Sequence, residues 1–138
     1  MQIETVTGTH KMIELGQSLA TTLKAGEKVW LQGDLGSGKT TLVQGILKGL
    51  GYNGAVTSPT YTLLEPYDLN ELSVVHMDLY RLESPDELEM LGFRDFVDSS
   101  LCLIEWPEKG VGFLPHWDVR ITINTLTAES REVRVEKS

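Results

Sequence analysis

The sequence predicts an α/β fold: a mixed parallel and antiparallel sheet with few helices. Three observations carry this. Residues 28–32 read as a strand that runs straight into a glycine-rich loop, and a helical stripe follows at once. Leu101-Cys102-Leu103-Ile104 is apolar without a break, which suits a central strand buried on both faces. Val119, Ile121 and Ile123 alternate with Arg120, Thr122 and Asn124, and Val133 and Val135 alternate with Arg134 and Glu136. That is the pattern of two antiparallel strands with one wet face.

In chain order, Ile3 to Val6 reads as a short strand. Thr9 is placed to cap a helix in which Met12, Leu15, Leu19 and Leu23 recur every three or four residues, with Gly26 just past its end. After the glycine loop, Val43, Ile46, Leu47 and Leu50 form a helical stripe that Gly51 can end. Thr57 to Thr60 is a loop, and Tyr61 to Tyr67 and Ser73 to Leu79 are strands. Ser84-Pro85-Asp86-Glu87 is a capping box with Pro at the first helical position. Gly110 to Pro115 reads as loop. There is no repeat, low-complexity tract or interdomain linker, so a single domain over residues 1–138 is expected.

Composition bounds the function. A chain of 138 residues suits one compact core. Met1 to Met12 is polar and lacks the apolar run of a signal peptide, and no apolar run approaches the roughly 20 residues that cross a bilayer. A cytoplasmic protein without membrane contact is the simplest expectation. Cys102 is alone, so an intrachain disulfide is excluded. Net charge is −8, and 12 of the 20 acids lie between Glu65 and Glu108. Such a surface repels a phosphate backbone, so any service to nucleic acid should run through a protein partner. A solvated acidic face with no partner explains the charge equally well.

The loop Gly33-Asp34-Leu35-Gly36-Ser37-Gly38-Lys39-Thr40 matches the P-loop pattern G-x-x-x-x-G-K-[ST] in full. Glycines let the backbone curl until successive N–H groups face phosphate oxygens, and the next helix adds its positive N-terminal end. Lys39 can reach the outer phosphates, and the Thr40 hydroxyl can ligate magnesium. The expected ligand is a nucleoside triphosphate with Mg2+. Two strands end in an acid, Asp78 after Val74–Met77 and Glu105 after Leu101–Ile104. Either can hold the ion or its water, and either can polarise an attacking water. Which one ligates directly stays open.

Thr57 to Thr60 reads first as a rigid turn fixed by Pro59, although nucleotide switches place a γ-phosphate-sensing Thr at such a point. Trp106 either packs or contacts a partner near the nucleotide. His10, His76 and His116 are isolated in sequence, so structural or exposed roles are expected from their spacing. No N-K-x-D motif follows the loop, which disfavours a guanine-reading GTPase. No arginine-rich lid is visible, which weakens a small-molecule kinase reading.

Gly33 to Thr40, with Ser58-Pro59-Thr60-Tyr61-Thr62-Leu63, His76-Met77-Asp78-Leu79-Tyr80-Arg81-Leu82 and Ile104-Glu105-Trp106-Pro107, resembles the TsaE family, formerly called YjeE. The resemblance covers roughly residues 3–136. It implies a weak, magnesium-dependent ATPase that binds ATP or ADP and supports threonylcarbamoyl adenosine modification of tRNA. The partners it implies are the TsaB and TsaD proteins, with tRNA engaged only indirectly through that complex. By motif, Lys39, Asp78 and Glu105 are the catalytic set, and Thr40, Asp78 and Glu105 the metal set. Gly33 to Thr40 together with Thr41 would hold the nucleotide, with Thr9, His10 and Arg131 near its base or ribose. Ser58, Pro59 and Thr60 match a switch-like loop, and Trp106 an exposed tryptophan. Slow turnover alone fits the missing lid, because an arginine supplied in trans speeds such reactions.

Three functions follow in order of support. The first is an ATPase subunit of the tRNA-modifying complex. The second is a nucleotide-switched binding module in which ATP occupancy matters more than hydrolysis. The third is a small-molecule kinase, for which only the P-loop speaks.

Overall fold

The computed structural model describes the whole chain, Met1–Ser138. Its strands are β1 (Gln2–Thr7), β2 (Lys28–Gly33), β3 (Leu64–Leu69), β4 (Leu72–Asp78), β5 (Leu101–Glu105), β6 (Val119–Thr125) and β7 (Ser130–Lys137). Its helices are α1 (Thr9–Ala20), α2 (Lys39–Gly49), α3 (Asp86–Met90) and α4 (Phe93–Phe96), and Pro107–Gly110 forms a 3-10 turn. The strands make one sheet in the order β1-β7-β6-β2-β5-β4-β3. β2 pairs in parallel with both β5 and β6, and β4 in parallel with β5. β3, β7 and β1 join antiparallel to their neighbours. The mixed α/β architecture expected from sequence is the one observed.

Period-two alternation sorts the strand residues between two faces. Val29, Leu31, Val74, Leu101 and Leu103 lie under α1 and α2, in the larger core. Cys102, Ile104, Val75 and Met77 pack on the opposite face against Leu88 of α3 and Phe93 of α4. In α2, Leu42, Val43, Ile46 and Leu47 are fully buried. Each such side chain contributes roughly 1.5–3 kcal/mol by leaving water. The α1–α2 contact is close because both helices present glycine. A Cβ on Gly45 would stand 2.3 Å from the Ile13 carbonyl oxygen, and one on Gly16 would stand 2.6 Å from that of Leu42.

Local boundaries differ from expectation in several places. Thr9 is the first helical residue of α1 and makes no capping bond, and Gly8 occupies the cap at φ 85°. α1 stops at Ala20, where the Thr21 and Thr22 hydroxyls donate back to the carbonyls of Ser18 and Leu19. These side-chain bonds compete with helix continuation. Residues 61–63 form a turn and not a strand. Leu63 takes φ 70°, its N–H donates to the Pro59 carbonyl at 2.7 Å, and its own carbonyl accepts from the Asp78 N–H at 2.9 Å. α2 runs to Gly49 with Leu50 as its cap, and Gly51, at φ 103°, does terminate it. The Tyr52 N–H reaches the Leu47 carbonyl and the Gly51 N–H reaches that of Lys48, a Schellman closure.

At α3, Glu87 reaches back to the N–H groups of Glu83 and Ser84 as in a capping box, but Pro85 is the N-cap and Asp86 the first helical residue, one position later than expected. No helix is long and apolar enough to cross a membrane.

Candidate functional site

The parallel strands β2, β5 and β4 end on the same side, and their last residues meet there. β2 passes into the glycine loop, whose Gly36 and Gly38 take φ 76° and 109°. Those angles need glycine, since an L side chain is strained in that region. The loop delivers the chain to α2 at Lys39. The first N–H groups of α2 lack intrahelical partners and point out of its end. Asp78 and Glu105 stand side by side as register partners on β4 and β5, with Leu31 of β2 beside Glu105. A cleft of about 380 Å³ lies between the loop and these acids. That volume falls in the usual range for small-molecule sites.

The cleft is polar and internally bonded. The Thr40 hydroxyl donates to Glu105, at 3.0 and 3.2 Å to its two oxygens. His76 Nε2 stands 2.6 Å from Glu105 Oε2, and both side chains are buried. A carboxylate only accepts, so Nε2 carries the shared hydrogen, while Nδ1 has no partner. His76 is therefore not isolated. β4 and β5 run in register, and the period of two puts His76, Asp78 and Glu105 on the face of α2.

Asp78 is engaged separately. Its Oδ2 accepts from Ser58 at 2.6 Å and Thr60 at 2.9 Å, and its Oδ1 accepts from the Tyr80 N–H at 3.0 Å. Pro59, between those hydroxyls, is buried and does not line the cleft.

Lys39 is buried and folded back onto its own loop. Its Nζ donates to the carbonyls of Gly33 and Asp34, and it lies 4.1 Å from the centre of the Trp106 ring. Burial holds the Lys39 ammonium below the usual lysine value, opposed by the charges of Glu105, Glu108, Asp78 and Asp34. Trp106 is half-buried against Tyr80, at 5.0 Å between ring centres, and is not the exposed residue the resemblance implied. Its backbone is left-handed, φ 57°, and this turns the chain directly after Glu105.

A second cleft of about 340 Å³ adjoins the first across Gly36, Ser37, Gly38 and Thr41. Thr9 and Arg131 line it. Arg131 braces the loop, donating to the carbonyls of Ser37 at 3.0 Å and Gly36 at 3.3 Å. His10 lies outside both linings and pairs with Glu14 on the surface of α1. Leu35 and Thr41 line the first cleft. So do Tyr80 and Arg81, which the sequence reading passed over although both sit inside the motif around Asp78.

The donor set suits a phosphorylated ligand with a hard cation. The Ser37 hydroxyl is buried in the loop without a partner. Hydroxyl and carboxylate oxygens converge from Thr40, Glu105 and Asp78. No three His, Cys, Asp or Glu side chains are grouped closely enough to hold a metal by themselves. Magnesium takes one or two carboxylates and draws its other ligands from phosphate and water, and Thr40, Glu105 and Asp78 are the residues that would offer oxygens to it.

Comparison with known proteins identifies the family. The family model described as "Threonylcarbamoyl adenosine biosynthesis protein TsaE" matches residues 6–133. The chain is 54% identical over 97 residues to a Haemophilus influenzae protein named tRNA threonylcarbamoyladenosine biosynthesis protein TsaE. That match covers 70% of this chain and 61% of the relative, less than two thirds of its length. It is 39% identical over 121 residues to the protein of that name from Treponema pallidum, covering 87% of this chain and 89% of the relative. The crystal structure of Bacillus subtilus YdiB superposes with a TM-score of 0.78 at 29% identity, covering 96% of this chain and 82% of that one.

Proposed function

The chain belongs to the TsaE family, and from that premise we propose that it binds ATP with magnesium in the cleft between the glycine loop and the acids of β4 and β5, hydrolyses it slowly, and thereby supports threonylcarbamoyl adenosine formation on tRNA. The observation that carries this is the Thr40 hydroxyl bonded to Glu105, with Asp78 one strand away and the end of α2 beneath. Loop N–H groups and Lys39 take the phosphate oxygens. Thr40 and the two acids would hold magnesium or its waters, and the ion would supply charge neutralisation at the phosphates.

Glu105 is the base. It accepts a proton from the attacking water as the bond between the terminal phosphorus and the bridging oxygen breaks, leaving ADP and phosphate. His76 fixes Glu105 from behind. Binding releases Lys39 from the loop carbonyls and from the Trp106 ring. The proposed partners are the TsaB and TsaD proteins, with tRNA reached through them, a route in keeping with an acidic surface that repels a phosphate backbone.

The test is ATP turnover with magnesium, alone and with TsaB, TsaD and tRNA. Strong stimulation by the partners is the expected result. Absence of MgATP binding by titration calorimetry overturns the site, and binding without stimulation overturns the partners.

One observation favours a switch reading beside the enzyme. The Ser58–Thr60 loop is tied to Asp78, a residue that a cation competes for. If a non-hydrolysable ATP analogue sustains many tRNA-modification turnovers, occupancy is the function and hydrolysis is secondary.

A further inference from the structure

Apart from Lys39, Arg81 is the one cationic side chain lining the cleft. It lies on the wall opposite the loop, three residues after Asp78. Its backbone is held there, because the Tyr80 N–H donates to Asp78 Oδ1. The chain carries −8 and concentrates its acids around this segment, yet Arg81 makes no salt bridge. Its guanidinium rests 4.4 Å from the centre of the Tyr61 ring and gives one long hydrogen bond, 3.4 Å, to the Tyr61 hydroxyl. Tyr61 is itself 82% exposed, so this is a shallow resting place. Four of the five N–H donors have no protein partner. A planar fork with free donors matches two phosphate oxygens, and an exposed aromatic ring holds a cation only weakly.

The resting place depends on the loop. Tyr61 follows Thr60, and Thr60 is bonded to Asp78. A cation on Asp78 would compete with Ser58 and Thr60 for the same carboxylate and so would loosen the support under Arg81.

We propose that Arg81 is the in-chain arginine that takes the terminal phosphate of ATP, and that Tyr61 parks it while that phosphate is absent. This rests on the cleft being the nucleotide site. It places within the chain part of the positive charge that the missing lid otherwise assigns to a partner. Discrimination between the triphosphate and the diphosphate then comes from the β4 side, and shared affinity for both comes from the glycine loop.

Dissociation constants for MgADP and for the magnesium complex of the β,γ-imido ATP analogue test it on the full chain. Arg81→Ala should weaken the analogue at least about tenfold and leave ADP within about twofold. Arg81→Lys should recover part of the loss, since an ammonium supplies charge without the fork. Tyr61→Ala should tighten the analogue two- to fivefold with ADP unchanged, by removing the competing contact. Equal effects of Arg81→Ala on both nucleotides, or none on either, overturn the phosphate contact. An unchanged ratio in Tyr61→Ala overturns the parking. Lys39→Ala separates the two levels of the claim. If it binds both nucleotides like the parent, the cleft is not the nucleotide site and Arg81 falls with it. If it loses both while Arg81→Ala keeps the ratio, only the Arg81 proposal falls.

Discussion

The two walls of the cleft are built differently. The loop wall is backbone: two glycines at positive φ, the N-terminal end of α2, and Arg131 pinning loop carbonyls from behind. Apart from Arg131, its shape is set within the consecutive residues Gly33–Thr40. The β4–β5 wall is side chain: Asp78 and Glu105 from separate strands, each satisfied by hydroxyls that a cation can displace. A wall made of backbone holds a ligand in one place at little entropic cost. A wall made of displaceable side-chain bonds can change state. Under the proposed function, affinity belongs to the first wall and chemistry with switching to the second.

The largest expected effect falls on the second wall. Glu105→Gln should lower partner-stimulated ATP hydrolysis by about 10²–10⁴, the usual worth of a general base, and by a larger factor than it weakens MgATP binding. Calorimetry beside a phosphate-release assay reads both, and an equal loss of affinity would break the division between the walls.

The next effect falls on the first wall. Lys39→Met should weaken ATP and ADP together by roughly 10- to 100-fold, as expected for lost charge-assisted hydrogen bonds. The same change should raise the unfolding temperature. Burial lowers the Lys39 value in the native state, so the native ammonium carries a cost that is full at neutral pH. As pH rises from the lowered native value towards the unfolded one, about 10.4, the native chain sheds that proton first and the cost fades. Melting curves from pH 7 to 10 should therefore show the advantage of Lys39→Met shrinking.

The smallest effect concerns the strand beneath the second wall. Burial pushes the Cys102 thiol up to about 11, against a weaker opposing pull from Lys28. The unfolded thiol ionises at the ordinary value of 9.0. Between those values the unfolded chain loses a proton that the native chain keeps, so stability falls with rising pH across that window and not below it. Iodoacetamide at pH 8 should leave the native chain unmodified, and Cys102→Ala should flatten the high-pH decline in urea midpoint. Rapid native alkylation would mean that β5 opens readily and that the second wall is looser than its burial indicates.

The same contrast explains what could be read without coordinates. The loop wall is local, so G-D-L-G-S-G-K-T with a strand before it and a stripe after it was enough. The β6–β7 pair was legible because alternation needs only its own residues. Asp78 and Glu105 were legible as strand ends, but their partners were not. The His76–Glu105 contact follows from the parallel register of β4 and β5, and Ser58 and Thr60 meet Asp78 across 20 and 18 residues of chain. Register at such range leaves no local trace. Residues 61–63 carry strand-like composition, yet the bonds of Leu63 to Pro59 and Asp78 impose a turn. The parallel join of β6 to β2 was likewise out of reach, since nothing in either strand's alternation names its neighbour.

The seam between α1 and α2 sets where this chain can drift. Gly16 and Gly45 touch backbone to backbone, and Gly49 would drive a Cβ to 2.8 Å from the Gln17 carbonyl oxygen. In a library of every single substitution, these three columns should tolerate glycine alone. Leu35 and Tyr61, a short distance away and open to solvent, should fold with almost any residue. Lineages of this fold are then free to vary the rim of the cleft while inheriting its foundation unchanged.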